Sequence, residues 1–141
     1  MLAEKIQYTD YDGNERNETF YFNLTEAEIA LWNLERTGGM KKHLERIMET
    51  QDQVEIAKNF RKIIHMAYGE KSEDGRRFMK KDSEGRDLAD AFEETEAYSK
   101  LIIHILSDPE YASYFVNHIA PTGVQEAIKE RTVNFPATEK P

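Results

Sequence analysis

Apolar positions alternate with polar ones from Lys5 to Phe22, then recur every three or four residues from Thr25 onward. Alternation marks a half-buried strand, and the longer period marks an amphipathic helix. The two arms of the alternating stretch are Ile6-Gln7-Tyr8-Thr9-Asp10-Tyr11 and Glu18-Thr19-Phe20-Tyr21-Phe22. Between them sits Asp12-Gly13-Asn14, a turn signal because Gly and Asn tolerate positive φ. The pattern predicts a β-hairpin over 5–22. A three-residue loop gathers Ile6, Tyr8, Phe20 and Phe22 on one face, whereas a two-residue loop sets Ile6 and Tyr8 beside Thr19 and Tyr21. We favour the first, because it concentrates apolar side chains on the face that can be buried. A lone hairpin is marginal in water, so it must pack on helices or pair with another chain.

The helical part opens with Thr25-Glu26-Ala27-Glu28, a capping box in which Thr25 and Glu28 satisfy each other's backbone N–H groups. Ala27, Leu31 and Leu34 share one face, with Ile29 and Trp32 beside it, and Gly38-Gly39 ends the helix. A second helix is predicted from Met40 to Thr50, carrying Met40, Leu44, Ile47 and Met48. A third starts near Asp52, with the stripe Ile56, Phe60, Ile63, Ile64 and Ala67, and stops at Gly69. Residues 69–86 are polar and read as a loop with a short turn anchored by Phe78 and Met79. Helical spacing resumes at Asp87 and runs to Leu106, with Thr95 marking a kink or a second cap. Asp108-Pro109 opens another helix, since proline at a first-turn position loses nothing by lacking an N–H. Its stripe is Tyr111, Tyr114, Phe115 and Ile119, and Pro121 stops it.

These elements predict an α+β fold, mainly α: an N-terminal β-hairpin packed on a bundle of five or six helices. Residues 1–121 form the expected single globular domain, with helices between 25 and 120. Residues 122–141 are expected to hold a weak C-terminal helix, around Val124, Ala127 and Ile128, and a tail. No internal repeat is visible.

Length agrees, since 141 residues is a usual size for one domain. The composition excludes several classes of function. There are no cysteines, so disulfides and thiolate metal sites are out of reach. The N-terminus has no basic region followed by an apolar run, and no signal peptide is expected. No apolar run is long enough to span a membrane. Nineteen Lys and Arg against 27 Asp and Glu give a net charge of −8. An acidic surface repels phosphate backbones and argues against nucleic acid as a partner. It leaves open a partner with a basic surface.

Candidate chemistry is sparse. No two of His43, His65, His104 and His118 stand at the spacing of a metal-binding helix pair. Asp10, Asp12 and Asn14 begin like a calcium loop, but Glu15 stands where glycine is needed and Tyr21 where the bidentate glutamate belongs. Carboxylate pairs such as Glu93-Glu94 arise on solvated helix faces in an acid-rich chain. No phosphate loop or nucleophile motif is present. We therefore expect no enzyme, and no catalytic, metal-binding or cofactor-binding residue.

Two groups of residues are candidates for partner contact. Tyr8, Tyr11, Phe20, Tyr21 and Phe22 crowd into the hairpin. Either the aromatics that cannot share its buried face pack under the third helix, or they form a sticky surface. Arg76, Arg77, Lys80 and Lys81, with Phe78 among them, make the one dense basic cluster. Glu70, Glu73, Asp74, Asp82 and Glu84 surround it. The ordinary reading is a solvated mixed-charge loop, and the competing one is a binding patch.

Several stretches resemble tail assembly chaperones of long-tailed, siphovirus-type phages and prophages. They are Tyr8-Thr9-Asp10-Tyr11-Asp12-Gly13-Asn14-Glu15, Phe20-Tyr21-Phe22-Asn23-Leu24-Thr25, Ala67 to Phe78, Ala91 to Ser99, and Phe115-Val116-Asn117-His118-Ile119-Ala120-Pro121. The resemblance covers 6–121 and departs at His118, where the pattern has glycine. It implies a non-enzymatic assembly factor that binds and solubilises the tape measure protein and helps recruit tail tube subunits. It implies action in the cytoplasm of the bacterial host, absence from the finished virion, and in many members a longer frameshifted form. Self-association through the hairpin edge is a further option. The rival reading, from charge alone, is a small acidic inhibitor or antitoxin-type protein that binds a basic partner.

Overall fold

The computed structural model describes residues 1–35 and 38–120. The described elements are β1 (Leu2–Thr9), β2 (Glu15–Phe22), α1 (Glu26–Glu35), α2 (Gly39–Glu49), α3 (Gln53–Ala67), β3 (Tyr68–Lys71), β4 (Phe78–Met79), α4 (Leu88–Phe92), α5 (Glu96–Ser107) and α6 (Pro109–Ile119). The fold is α+β and mainly helical, with the hairpin first, as the pattern predicts. The predicted stop at Pro121 and everything expected for 122–141 lie outside the described residues.

Strands β1 and β2 pair antiparallel, with Leu2 opposite Phe22, Ile6 opposite Glu18 and Tyr8 opposite Arg16. This register puts Ile6, Tyr8, Phe20 and Phe22 on one face. The loop is Tyr11-Asp12-Gly13, one residue earlier than the turn signal suggests. The Asp10 N–H donates to the Asn14 carbonyl, and the Asn14 N–H donates to an Asp10 carboxylate oxygen, each at 2.9 Å. Gly13 takes the left-handed position at φ 87°, where glycine carries no Cβ penalty. The first strand also begins earlier than expected, and Leu2 joins the core.

The largest correction concerns 69–86, which is not simply a loop. Tyr68–Lys71 and Phe78–Met79 extend the hairpin into a four-stranded sheet of order β1-β2-β3-β4. Phe22 pairs with Tyr68 and Tyr21 with Gly69; Glu70 then pairs with Met79 and Lys71 with Phe78. Such short runs carry too few alternations to register as strands, and the neighbouring β2 supplies the template that orders them. Two Asp-anchored turns complete the segment. Asp74 accepts from the Arg76 N–H and the Ser72 hydroxyl, and Asp82 accepts from the Glu84 and Arg86 N–H groups.

The helices begin where their caps place them. Thr25 and Glu28 form the capping box, with bonds of 2.8 and 3.1 Å. Asp52 accepts from the Val54 and Glu55 N–H groups at the start of α3. Thr95 separates α4 from α5 and caps the latter. Asp108 caps α6, with Pro109 at its first turn. The predicted α3 stripe Ile56, Phe60, Ile63, Ile64 and Ala67 is the buried face of that helix.

α1 departs from expectation. Ile29 is its buried residue, while Ala27, Leu31 and Leu34 face solvent. Three anchors fix its rotation: Leu24 is fully buried and its N–H donates to the Ile119 carbonyl at 2.7 Å, Thr25 caps, and Glu28 is held by Lys80. With those fixed, Ile29 turns inward and Leu31 outward.

Packing centres on rings. Phe22, fully buried, meets Tyr68, Phe92 and Phe115 edge-on, with ring centres 5.3–5.7 Å apart. Tyr68 and Phe92 stack at 4.3 Å. Gly69 lies under the Phe78 ring, and a Cβ there would come within 2.5 Å of the Met79 carbonyl oxygen and 2.6 Å of that ring. Gly69→Ala therefore forces β3 and β4 apart. We expect it to destabilise the protein by about 1–3 kcal/mol, the usual cost of overpacking. A urea midpoint equal to that of the unmodified protein would show that the β3–β4 pairing adapts freely.

Candidate partner-binding surface

The hairpin aromatics divide between interior and surface. Phe22 is part of the core, and Phe20 packs on Phe92 at 5.1 Å. Tyr8 is half-buried beside Phe20 and donates its hydroxyl proton to Glu18. Tyr21 is half-buried on the opposite face, which otherwise carries Ala3, Lys5, Gln7, Thr9, Glu15, Asn17 and Thr19. Tyr11, at the hairpin tip, is 78% exposed. The inward rings pack against α4 and α6, not under α3 alone. The outer face is polar, so the rings do not gather into a sticky patch.

The basic cluster divides as sharply. Arg76 and Arg77 are exposed in the β3–β4 turn, and among the described residues their side chains make no ion pair. Phe78 is half-buried over Gly69, with the Lys80 ammonium 5.6 Å from its ring centre. Lys80 points inward. Its Nζ donates to both oxygens of Glu28, at 3.1 and 3.0 Å, and to the Met66 carbonyl. One ammonium thus ties the start of α1 to the last turn of α3, where an unsatisfied carbonyl favours a cation. Lys81 pairs with Asp87 at 2.7 Å, and Asp87 holds its carboxyl below the ordinary value mainly because of that bond.

Several features escape a reading of the sequence. His65 donates or accepts at both ring nitrogens: Nδ1 lies 2.8 Å from Glu93 and Nε2 lies 3.1 Å from Asp87. The Glu93 hydrogen bond is the main cause that raises its pKa above the ordinary 6.5, against a smaller opposing effect of burial. The partners lie 28 and 22 residues away, so no local spacing announces them. His65, Asp90 and Glu93 bring ligand-type atoms within 4.8 Å of one another, yet both His65 nitrogens are already engaged. On another side, rings of His104, Tyr111, Tyr114 and His118 stack in sequence at 3.7, 5.9 and 4.0 Å. Tyr111 is pinned by a hydrogen bond to Glu4. Burial and that carboxylate push its pKa up strongly. A groove of about 530 Å³ runs between α2, α3 and the α5–α6 junction, lined by Met48, Ile56, Ile105, Leu106 and Ala112 among others. Leu31 and Leu34 on α1 are 60% and 75% exposed. No described helix is long and apolar enough to cross a membrane.

The fold is a capped helical body with a small sheet, and it exposes Tyr11 at the hairpin tip and Arg76 and Arg77 in the β3–β4 turn. The chain belongs to the phage tail assembly chaperone family, whose model matches residues 1–141. That match also takes in the residues beyond Pro121 that the motif resemblance leaves out. No curated protein and no solved structure matches.

Two predictions follow from the charged groups. A raised His65 pKa means that its contribution to stability is complete below the unfolded value and is lost as pH rises through the folded one. Between about pH 6 and about pH 8.5, the unmodified protein should lose more stability than His65→Gln does, read as the urea midpoint. Parallel curves for the two proteins would contradict the raised pKa. Lys80→Ala should cost about 1.5–3 kcal/mol, the range for hydrogen bonds to charged groups. Arg76→Ala with Arg77→Ala should stay within about 0.5 kcal/mol of the unmodified protein. Thermal unfolding of the two variants side by side checks the contrast; equal losses would contradict the division of the cluster.

Proposed function

We propose that this chain binds the tape measure protein of its phage or prophage, keeps it soluble, and helps recruit tail tube subunits. The observation that carries the reading is the match of the whole chain to the tail assembly chaperone family. The action is non-enzymatic and takes place in the host cytoplasm, and the protein leaves before the virion is complete. Its partners are the tape measure protein, the tail tube protein, further copies of itself and a frameshifted longer form. Candidate contact residues are the surface members of the two groups: Tyr11 and Tyr21 on the hairpin, and Arg76 and Arg77 in the β3–β4 turn.

Physical chemistry supports such a role. A tape measure protein is a long helix with apolar stripes, and stripes of this kind are covered by amphipathic surfaces. Many modest contacts along one filament give avidity while each remains reversible. Reversibility matters, because tube subunits must displace the chaperone. The net charge of −8 keeps a protein with exposed leucines in solution.

Coexpression with the tape measure protein from the same genome, followed by affinity capture and sizing, tests the reading. A soluble complex with several copies of this chain per tape measure protein is the expected result. A lone chain, with the tape measure protein left in the pellet, would refute it.

A further inference from the structure

α1 is apolar on two opposite sides. Successive helical residues are rotated by about 100°. Ile29, Trp32 and Asn33 fall on one side, and Ile29 is fully buried. Ala27, Ala30, Leu31 and Leu34 fall together on the other, with Leu31 and Leu34 mostly exposed. Glu28 and Glu35 border this second stripe on one flank and Glu26 on the other. The helix itself carries no Lys or Arg. Glu28 is engaged by Lys80, whereas Glu26 and Glu35 make no ion pair among the described residues.

A surface helix ordinarily keeps its solvent side polar. Here the solvent side repeats an apolar residue at 27, 31 and 34, the spacing by which one helix packs on another. We propose that this face of α1 docks an α-helix of a protein partner, whose own apolar stripe is bordered by Lys or Arg. Charge selects that occupant. Glu26 and Glu35, which make no ion pair among the described residues, attract basic borders, and a second copy of this chain would bring three glutamates of its own to the same place. This inference rests on the tape measure reading for the partner's identity, and it names the surface and the chemistry of the contact.

The test uses the full chain and Leu31→Ser/Leu34→Ser, which leaves the net charge unchanged and alters only exposed side chains. Urea unfolding of the variant confirms that it is folded. The probes are the tape measure protein from the same genome and two synthetic helical peptides with one leucine stripe, bordered by lysine in the first and by glutamate in the second. We expect the unmodified chain to bind the tape measure protein and the lysine-bordered peptide, and to ignore the glutamate-bordered one. The variant should bind both partners at least tenfold more weakly, the factor that about 1.4 kcal/mol of lost burial produces. If the variant captures the tape measure protein as well as the unmodified chain does, the chaperone reading stands and this docking face is wrong. If the lysine-bordered peptide needs Leu31 and Leu34 but the tape measure protein is never captured, the face stands and the reading fails. If sedimentation shows that the unmodified chain self-associates and the variant does not, the face joins copies of this chain and the proposal is overturned.

Discussion

Phe22 is the contact on which the rest of the structure depends. It closes the hairpin opposite Leu2, and its ring meets one aromatic from each of β3, α4 and α6. Those elements could not hold themselves. β3 has four residues and α4 has five, below the length at which either strand or helix persists alone. Tyr68 and Phe92 lend them stability by stacking on each other and meeting Phe22 edge-on. Edge-on aromatic pairs contribute about 0.5–1.5 kcal/mol each beyond the area they bury. The cluster therefore holds β3 and α4 in place against the hairpin and α6.

Lys80 is the polar counterpart of that hub. Its side chain is only 24% exposed, and an ammonium carried inward must find acceptors, because an unpaired buried charge is costly. It finds a carboxylate at the start of α1 and a carbonyl at the end of α3. The rotation of α1 follows from this. Glu28 cannot serve both Thr25 and Lys80 unless Ile29 faces inward, and that leaves Leu31 and Leu34 outside. An electrostatic constraint at one end of a short helix thus decides which of its apolar sides meets solvent.

Much of the fold was legible because its signals are local. Asp52, Thr95 and Asp108 announce helix starts through side-chain oxygens placed two or three residues before the N–H groups they satisfy. The α3 stripe reads cleanly because only one side of that helix is apolar. α1 defeats the same logic, since two sides qualify and periodicity cannot rank them. β3 and β4 are illegible for a different reason: their pairing is dictated by β2, nearly fifty residues away in sequence for Phe22 and Tyr68. One local clue was present. Asp10-Tyr11-Asp12-Gly13, Ser72-Glu73-Asp74-Gly75 and Asp82-Ser83-Glu84-Gly85 share a pattern, and each closes on a left-handed glycine. The first lies in a hairpin, so the other two mark turns of the same kind. The candidate surface divided in the same way. Exposure of Tyr11, Arg76 and Arg77 follows from turn position, but the burial of Phe20 and Phe22 and the capture of Lys80 depend on distant partners.

Buried and exposed apolar surface in this protein obey different rules. Inside, rings interlock and each loss is felt by several neighbours, so the cluster tolerates little change. On α1, two leucines and two alanines make a stripe too small to drive aggregation on its own, and the glutamates beside it raise the cost of self-contact. In the proposed docking, a face of that size gives modest affinity for one helix. Modest affinity is what a reversible coat requires, because strength can come from the number of copies along a filament and not from any single contact. A larger apolar face would hold its partner more tightly, but it would also pair with itself and resist displacement. For the docking role proposed above, the outward rotation of α1 offers a contact of limited strength, suited to temporary protection.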